Sequence, residues 1–223
     1  MPQWLRHRMP AFARGGRRGF LMQSDPAPRV IRHPVVMLDD FLPDAECRAL
    51  LARVLASEAL FMPSGTHDRR SDYRQSLVLN PPADLVHPVV SRVRAAVPQA
   101  MPTLRIPPIA VGVVEAQVTA SVHGSFFGVH TDHGVDVRKR HLTYVYYFNR
   151  QPKGFEGGEL RVYDDIVRNG KLARAETFSV IEPRHNRIVL FWARTMHEVM
   201  RVDIPSRAFA DARFTVNGWV NEA

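Results

Sequence analysis

A single cysteine, Cys47, stands in a chain of 223 residues. One thiol closes no internal disulfide and builds no cysteine-based zinc or iron–sulfur site, so stability must come from a packed core. Such usage fits a reducing compartment, and a cytoplasmic location is expected. The chain has no apolar run of 18 residues, so no membrane association is expected. It also lacks low-complexity tracts and any repeat at a fixed period, which excludes solenoids and propellers. Cys47 itself lies in "DAECRALLARVLASEAL", where apolar residues recur at helical spacing, and reads as a small buried hydrophobe.

Acids are fewer than bases, 22 against 30, giving a net charge of +8. The excess is not spread evenly. Arg6, Arg8, Arg14, Arg17 and Arg18 fall in the first 23 residues, which hold no acid, so this segment carries +5 and the remainder only +3. A basic tail is not a basic face, and no nucleic-acid partner is expected. Within the tail, "RRGFL" is similar to a twin-arginine export signal, but "MQSDPAPRVIRHP" follows where an apolar segment is required. Residues 1–24 therefore read as a disordered basic arm, or as an upstream extension of a chain that starts at Met22. Residues 25–223 read as one domain, since the length suits one core and no linker interrupts it.

After the arm, "PVVMLDDFL" reads as a strand and "LPDAECRALLARVLASEAL" as a helix opened by Pro and acids. A second helix is expected over "VVSRVRAAVPQA" (89–100), broken at Pro98. From about residue 111 the texture changes. "VGVVEAQVTASV", "FFGVHTD", "HLTYVYYFN", "GELRVYDD", "TFSVIEP", "RIVLFWA", "HEVMRV" and "RFTVNGWV" are short β-branched and aromatic runs separated by turns, which predict a sandwich or barrel. The fold class is thus α+β: N-terminal helices supporting a C-terminal β core at about 111–220.

In "GVHTDHG", strand alternation sends His130 and Asp132 to one face and Thr131 to the other, so the pair can chelate one ion. A third ligand has to come from another strand, and His197 in "MHEVMRV" is available. Two imidazoles and one carboxylate on one face of a metal leave the opposite face open, the arrangement used by non-haem Fe(II) oxygenases. An isolated "HxD" in a chain with 10 histidines arises readily by chance; its company gives it weight.

That company is "FFGVHTDHG…RHLTYVYYFN…GFEGGELRVYD…IEPRHNRIVLFWARTMHEV…RFTVNGWV", which resembles the 2-oxoglutarate and Fe(II)-dependent dioxygenases, in particular the prolyl-4-hydroxylase-like branch, over residues 115–220. The resemblance implies a double-stranded β-helix, or jelly roll, with supporting helices. It implies Fe(II), 2-oxoglutarate and O2, with ascorbate as an accessory. It further implies hydroxylation of an unactivated C–H bond in a prolyl or other amino-acid side chain of a peptide or protein, the alternative being a free amino acid or small molecule. Carried over position by position, it makes His130, Asp132 and His197 the iron ligands and Arg213, Tyr147 and Thr143 the cosubstrate residues.

Two departures from the family pattern stand out. Arg213 lies sixteen residues after His197, beyond the usual interval, while Arg207 sits at that interval but in a turn-like segment. Arg213 is favoured because alternation fixes its direction with Thr215 and Asn217, and a planar guanidinium suits a carboxylate. Ser121 stands where a tyrosine is common, which puts a contact to 2-oxoglutarate in question. His133, His123, His141 and His185 read as surface residues, and "GGEL" and "EPRHNR" as turns. The polar stretch 61–76, with Arg69, Arg70, Tyr73 and Arg74, is long enough to be a lid that grips an acidic peptide or a carboxylate. Two rivals stay open: a non-catalytic cupin-like binding module, which has no need of Arg213 or Tyr147, and nucleic-acid demethylation, which the basic arm supports only thinly.

Overall fold

The computed structural model describes residues 27–64 and 73–223; the basic arm 1–24 and Arg69 and Arg70 lie outside these. In chain order the strands are β1 (Arg29–Ile31), β2 (Val36–Leu38), β3 (Met62–Pro63), β4 (Arg74–Gln75), β5 (Leu77–Leu79), β6 (Val111–Val114), β7 (Gln117–Ser121), β8 (Phe126–His130) and β9 (Arg140–Phe148). The rest are β10 (Glu156–Gly157), β11 (Leu160–Arg168), β12 (Lys171–Ile181), β13 (Arg187–Trp192), β14 (His197–Val199), β15 (Val202–Asp203) and β16 (Arg213–Glu222). Helices α1 (Asp44–Ala56) and α2 (Ala83–Leu104) precede β6.

Helix α1 follows Pro43 and carries Asp44 and Glu46 in its first turn, where negative charge meets the positive end of the helix dipole. Its Cys47, Leu50 and Val54 recur on one face and are buried. Helix α2 does not break at Pro98 as the sequence predicts; it runs on through Pro88, Pro98 and Pro102. A helical proline deprives the carbonyl four residues earlier of its partner, and here those carbonyls belong to Asp84, Arg94 and Pro98, all exposed, so water can satisfy them. The opposite face keeps its period, with Val86, Val89, Val93 and Val97 buried. Each such valine contributes about 1.5–3 kcal/mol through removal from water. No described helix is long and apolar enough to cross a membrane.

The strands form two main antiparallel sheets. One has the order β2-β13-β9-β16-β7-β5-β3, with β6 also on β16; the other runs β1-β11-β14-β8-β4, with β12 also on β11. This is a jelly roll with helices laid against one sheet. Alternation along β9 explains the two layers. Tyr144, Tyr146 and Phe148 join the large core shared with α1 and α2, whereas Tyr147 packs between the sheets with Leu160, Val162, Ile181, Val189 and Phe191.

The predicted strands recur with two changes. "VGVVEAQVTASV" divides into β6 and β7, because Glu115 exchanges backbone hydrogen bonds with Trp219 of β16 and turns the chain. There Gly218 is obligatory, since a Cβ on it would lie 1.9 Å from the Glu115 carbonyl oxygen. "HEVMRV" likewise divides into β14 and β15.

Candidate active site between the two sheets

His197 of β14 and His130 of β8 are direct cross-strand partners, which sets their rings side by side with centroids 4.1 Å apart. Strand β8 ends at His130, so Asp132 lies just beyond the strand rather than within it. Its direction comes instead from its amide, which donates to the Ala193 carbonyl at 3.0 Å, and from Thr143, whose hydroxyl donates to its Oδ2 at 2.7 Å. The alternation argument thus reached the right neighbours through a mechanism that the strand end replaces. His133, expected to face away, has Nδ1 3.4 Å from the Arg140 carbonyl oxygen.

Ligand atoms of His130, Asp132 and His197 all lie within 4.8 Å of one another. Asp132 Oδ2 is 3.3 Å from His197 Nε2, and its Oδ1 is 3.8 Å from His130 Nε2. In both rings Nδ1 faces a carbonyl oxygen, Gly128 at 2.8 Å for His130 and Thr195 at 2.9 Å for His197. A carbonyl only accepts, so Nδ1 carries a proton in each ring, and Nε2 is the atom that each turns toward the carboxylate. Burial and the neighbouring His197 lower the pKa of His130 to about 3, keeping it neutral. Burial opposes the charge on Asp132, but His197, His130 and the Thr143 hydroxyl together outweigh it and hold the carboxyl well below the usual range. Two imidazoles and a carboxylate, each in its deprotonated form, are the donor set that a divalent iron would take.

These groups open onto a cavity lined from both sheets. At its far wall stands Arg213, 3% exposed, directly across from Ser121 of β7. One terminal nitrogen of Arg213 donates to Ser121 Oγ at 3.4 Å, and its Nε is buried with no partner among the described residues. Burial pulls its pKa down, which marks an incompletely compensated cation. Gly158 makes room for it: with φ at +73°, a Cβ there would come within 2.6 Å of the arginine's Cδ. Tyr147 does not line the cavity. Its ring lies under the guanidinium, 4.8 Å from Cζ, and its buried hydroxyl lies beside that guanidinium. A buried guanidinium that lines the cavity and keeps an unpartnered Nε among the described residues fits a ligand carboxylate.

Other sequence-predicted residues fall elsewhere. Arg207 is exposed in a turn at φ +56°, away from the cavity lining. His185 is not a surface residue but half-buried, with Nδ1 accepting from the Asn149 amide and Nε2 3.5 Å from the Cys47 thiol. Cys47 is buried and also receives the Tyr146 hydroxyl at 3.1 Å. Arg187 closes the wall through paired bonds of 2.6 and 2.9 Å to Asp39.

Sequence reasoning overlooked Phe127, which stacks on His130 at 3.5 Å and 18°, and the polar wall of Gln117, Thr119 and Asn217. Alternation on β16 was the available signal for the latter, since Arg213, Thr215, Asn217 and Trp219 share one face.

Comparison with known proteins gives a consistent result. The sequence profile of the 2OG-Fe(II) oxygenase superfamily matches residues 116–221. An uncharacterised PKHD-type hydroxylase of Synechocystis sp. is 36% identical over 189 residues, which is 83% of this chain; the chain spans about 62% of that relative's length. Among solved structures, a Pseudomonas putida prolyl-4-hydroxylase superposes with a TM-score of 0.60 at 20% identity, covering 86% of this chain and 94% of the other. A Trichoplax adhaerens prolyl hydroxylase, in complex with a peptide fragment of hypoxia inducible factor, superposes with a TM-score of 0.60 at 17% identity, covering 84% and 83%. At these identities the likeness speaks for the jelly-roll fold.

Proposed function

We propose that this chain, whose residues 116–221 match the sequence profile of the 2OG-Fe(II) oxygenase superfamily, hydroxylates a prolyl or other amino-acid side chain in a peptide or protein. The observation that carries this reading is the meeting of the His130, Asp132 and His197 donors with the buried guanidinium of Arg213 in one cavity. A passive cupin-like module has no use for an uncompensated cation 3% exposed.

In this reading His130, Asp132 and His197 hold Fe(II), and Arg213 holds the far carboxylate of 2-oxoglutarate. When bound, the metal and cosubstrate supply the oxidation: O2 is consumed, 2-oxoglutarate becomes succinate and CO2, and the target carbon gains a hydroxyl. The chain's own residues do the positioning. Thr143 fixes the Asp132 carboxylate, the Gly128 and Thr195 carbonyls orient the two imidazoles, and Phe127 covers one imidazole face and keeps water from it. Tyr147, packed behind the cavity wall, serves as the platform for Arg213. Ser121, standing where a tyrosine is common, holds the arginine instead.

The test is anaerobic addition of Fe(II) and 2-oxoglutarate, watching for the visible absorption band of their chelate in the native protein and in Arg213→Ala. Native protein with the band and variant without it is the expected pair. Succinate release over proline-containing peptides and free amino acids then narrows the substrate. No band in the native protein would defeat the reading.

A further inference from the structure

The cavity holds a second guanidinium that the cosubstrate does not need. Arg74 of β4 lies opposite Phe127 in the register with β8 and lines the same cavity as the histidine pair. Its Cζ lies 4.7 Å from the Phe127 ring centroid, and Phe127 in turn stacks on His130, so guanidinium, phenyl and imidazole form one column. Nε donates to Ser76 Oγ at 3.3 Å, which fixes the plane of the group. Its two terminal nitrogens make no hydrogen bond with any described residue, although the Asp132 carboxylate across the cavity favours its charge. The segment is pinned on both sides of the Tyr73 ring: the Tyr73 hydroxyl donates to the Val129 carbonyl at 2.8 Å, and the Tyr73 carbonyl accepts from the Gly128 amide at 2.8 Å.

Asp132 offsets part of the cost of burying this charge, but its oxygens are engaged by Thr143 and the two histidines, so the terminal donors of Arg74 are left for an anion that enters the cavity. Arg213 and the metal centre already account for the two carboxylates of 2-oxoglutarate. Arg74 differs from Arg213 in position as well: it is half-buried and flanked by the exposed Tyr73 and Gln75, whereas Arg213 is fully buried. We infer that Arg74 binds a carboxylate of the substrate itself, making this a hydroxylase of residues or molecules that carry a carboxylate close to the oxidised carbon. The inference rests on the oxygenase reading above and names the substrate class for that site. The carboxylate can belong to an acidic side chain, a peptide C-terminus or a free amino acid, and these share the chemistry that Arg74 reads.

The experiment uses full-length protein loaded anaerobically with Fe(II) and 2-oxoglutarate, and measures dissociation constants for matched acid and neutral probes. The pairs are acetyl-Ala-Pro-Glu-amide against acetyl-Ala-Pro-Gln-amide, acetyl-Ala-Pro against its C-terminal amide, and L-proline against L-prolinamide. In at least one pair the acid should bind roughly tenfold or more tightly, the size expected of one charged hydrogen-bonded contact. That pair identifies the source of the carboxylate. Arg74→Gln should erase the preference, and Arg74→Lys should restore part of it, since it keeps the charge and loses the fork. Affinity for 2-oxoglutarate should stay the same in both. The inference is overturned if no pair discriminates, if the preference survives in Arg74→Gln, or if that variant weakens 2-oxoglutarate by the same factor. Wild-type protein that binds no 2-oxoglutarate overturns this inference and the oxygenase reading together, whereas binding without acid preference overturns this one alone.

Discussion

Exchange of Arg213 for methionine should move stability and ligand binding in opposite directions. The guanidinium is 3% exposed, keeps one hydrogen bond at the long distance of 3.4 Å, and leaves Nε buried without a partner. Losing its contact with the Tyr147 ring costs about 0.5–2 kcal/mol. Removing the unpaired donor returns about 1–3 kcal/mol, and a desolvated charge disappears with it. Methionine is unbranched and can follow the same path past Gly158, so no large cavity opens. Ligand-free Arg213→Met should therefore be as stable as the native protein or about 1–2 kcal/mol more so, which at this size is a rise in Tm of roughly 2–8 °C.

With 2-oxoglutarate and metal present the order reverses. At a concentration 100 times Kd the native protein gains about 2.7 kcal/mol from mass action. The variant loses a buried charged partner worth about 2–5 kcal/mol, and should gain less than about 1 kcal/mol at the same concentration. Calorimetric melting of both proteins with and without ligand measures all four states. A variant that melts well below native protein without ligand, or one that keeps the full ligand-induced rise, would refute the account of Arg213 as a cation waiting for a carboxylate.

The site makes three further claims that can be measured. Thr143→Val deletes the 2.7 Å bond that orients Asp132 and should weaken binding of Mn(II) or Co(II) by about 10- to 100-fold with the fold intact; unchanged metal affinity would show the bond to be incidental. His130 is held neutral by burial and by His197, with its pKa lowered from 6.5 to about 3, so between those values the unfolded chain binds more protons than the folded one. Its contribution is complete above about pH 6.5 and is lost as pH falls toward 3, amounting to about 2 kcal/mol between pH 7 and 5. Urea unfolding of chelator-treated protein at the two pH values reads this directly, and the slope should shrink in His130→Gln. Gly218→Ala should be far more damaging than Gly170→Ala, because the first drives a Cβ to 1.9 Å from a backbone oxygen while the second, at φ +71°, meets nothing within 4 Å and costs about 1–2 kcal/mol of backbone strain. Equal melting temperatures for the two would contradict the close approach of β16 to Glu115.

What could be read in advance depended on the range of each interaction. Strands β9, β13 and β16 were legible because a two-residue period needs only local sequence, and the same period separates Tyr147 from Tyr146. The two-residue strands β3, β4, β10 and β15 were not, since a pair of residues has no period and is extended only because a neighbouring strand takes its hydrogen bonds. Helix α2 was misread at Pro98 for a related reason: the penalty depends on whether the freed carbonyl faces water, and that is settled by which face packs.

By itself, the sequence determined the β-rich core, the helical face around Cys47 and the donor types at residues 130, 132 and 197, because side-chain chemistry and alternation are local properties. The tertiary structure alone decided that β14 pairs with β8 so that two imidazoles meet, that Arg213 rather than Arg207 enters the cavity, and that Arg74 joins it through Phe127. Those outcomes depend on strand register and sheet closure, where one residue of slip would turn each of these side chains to the opposite face.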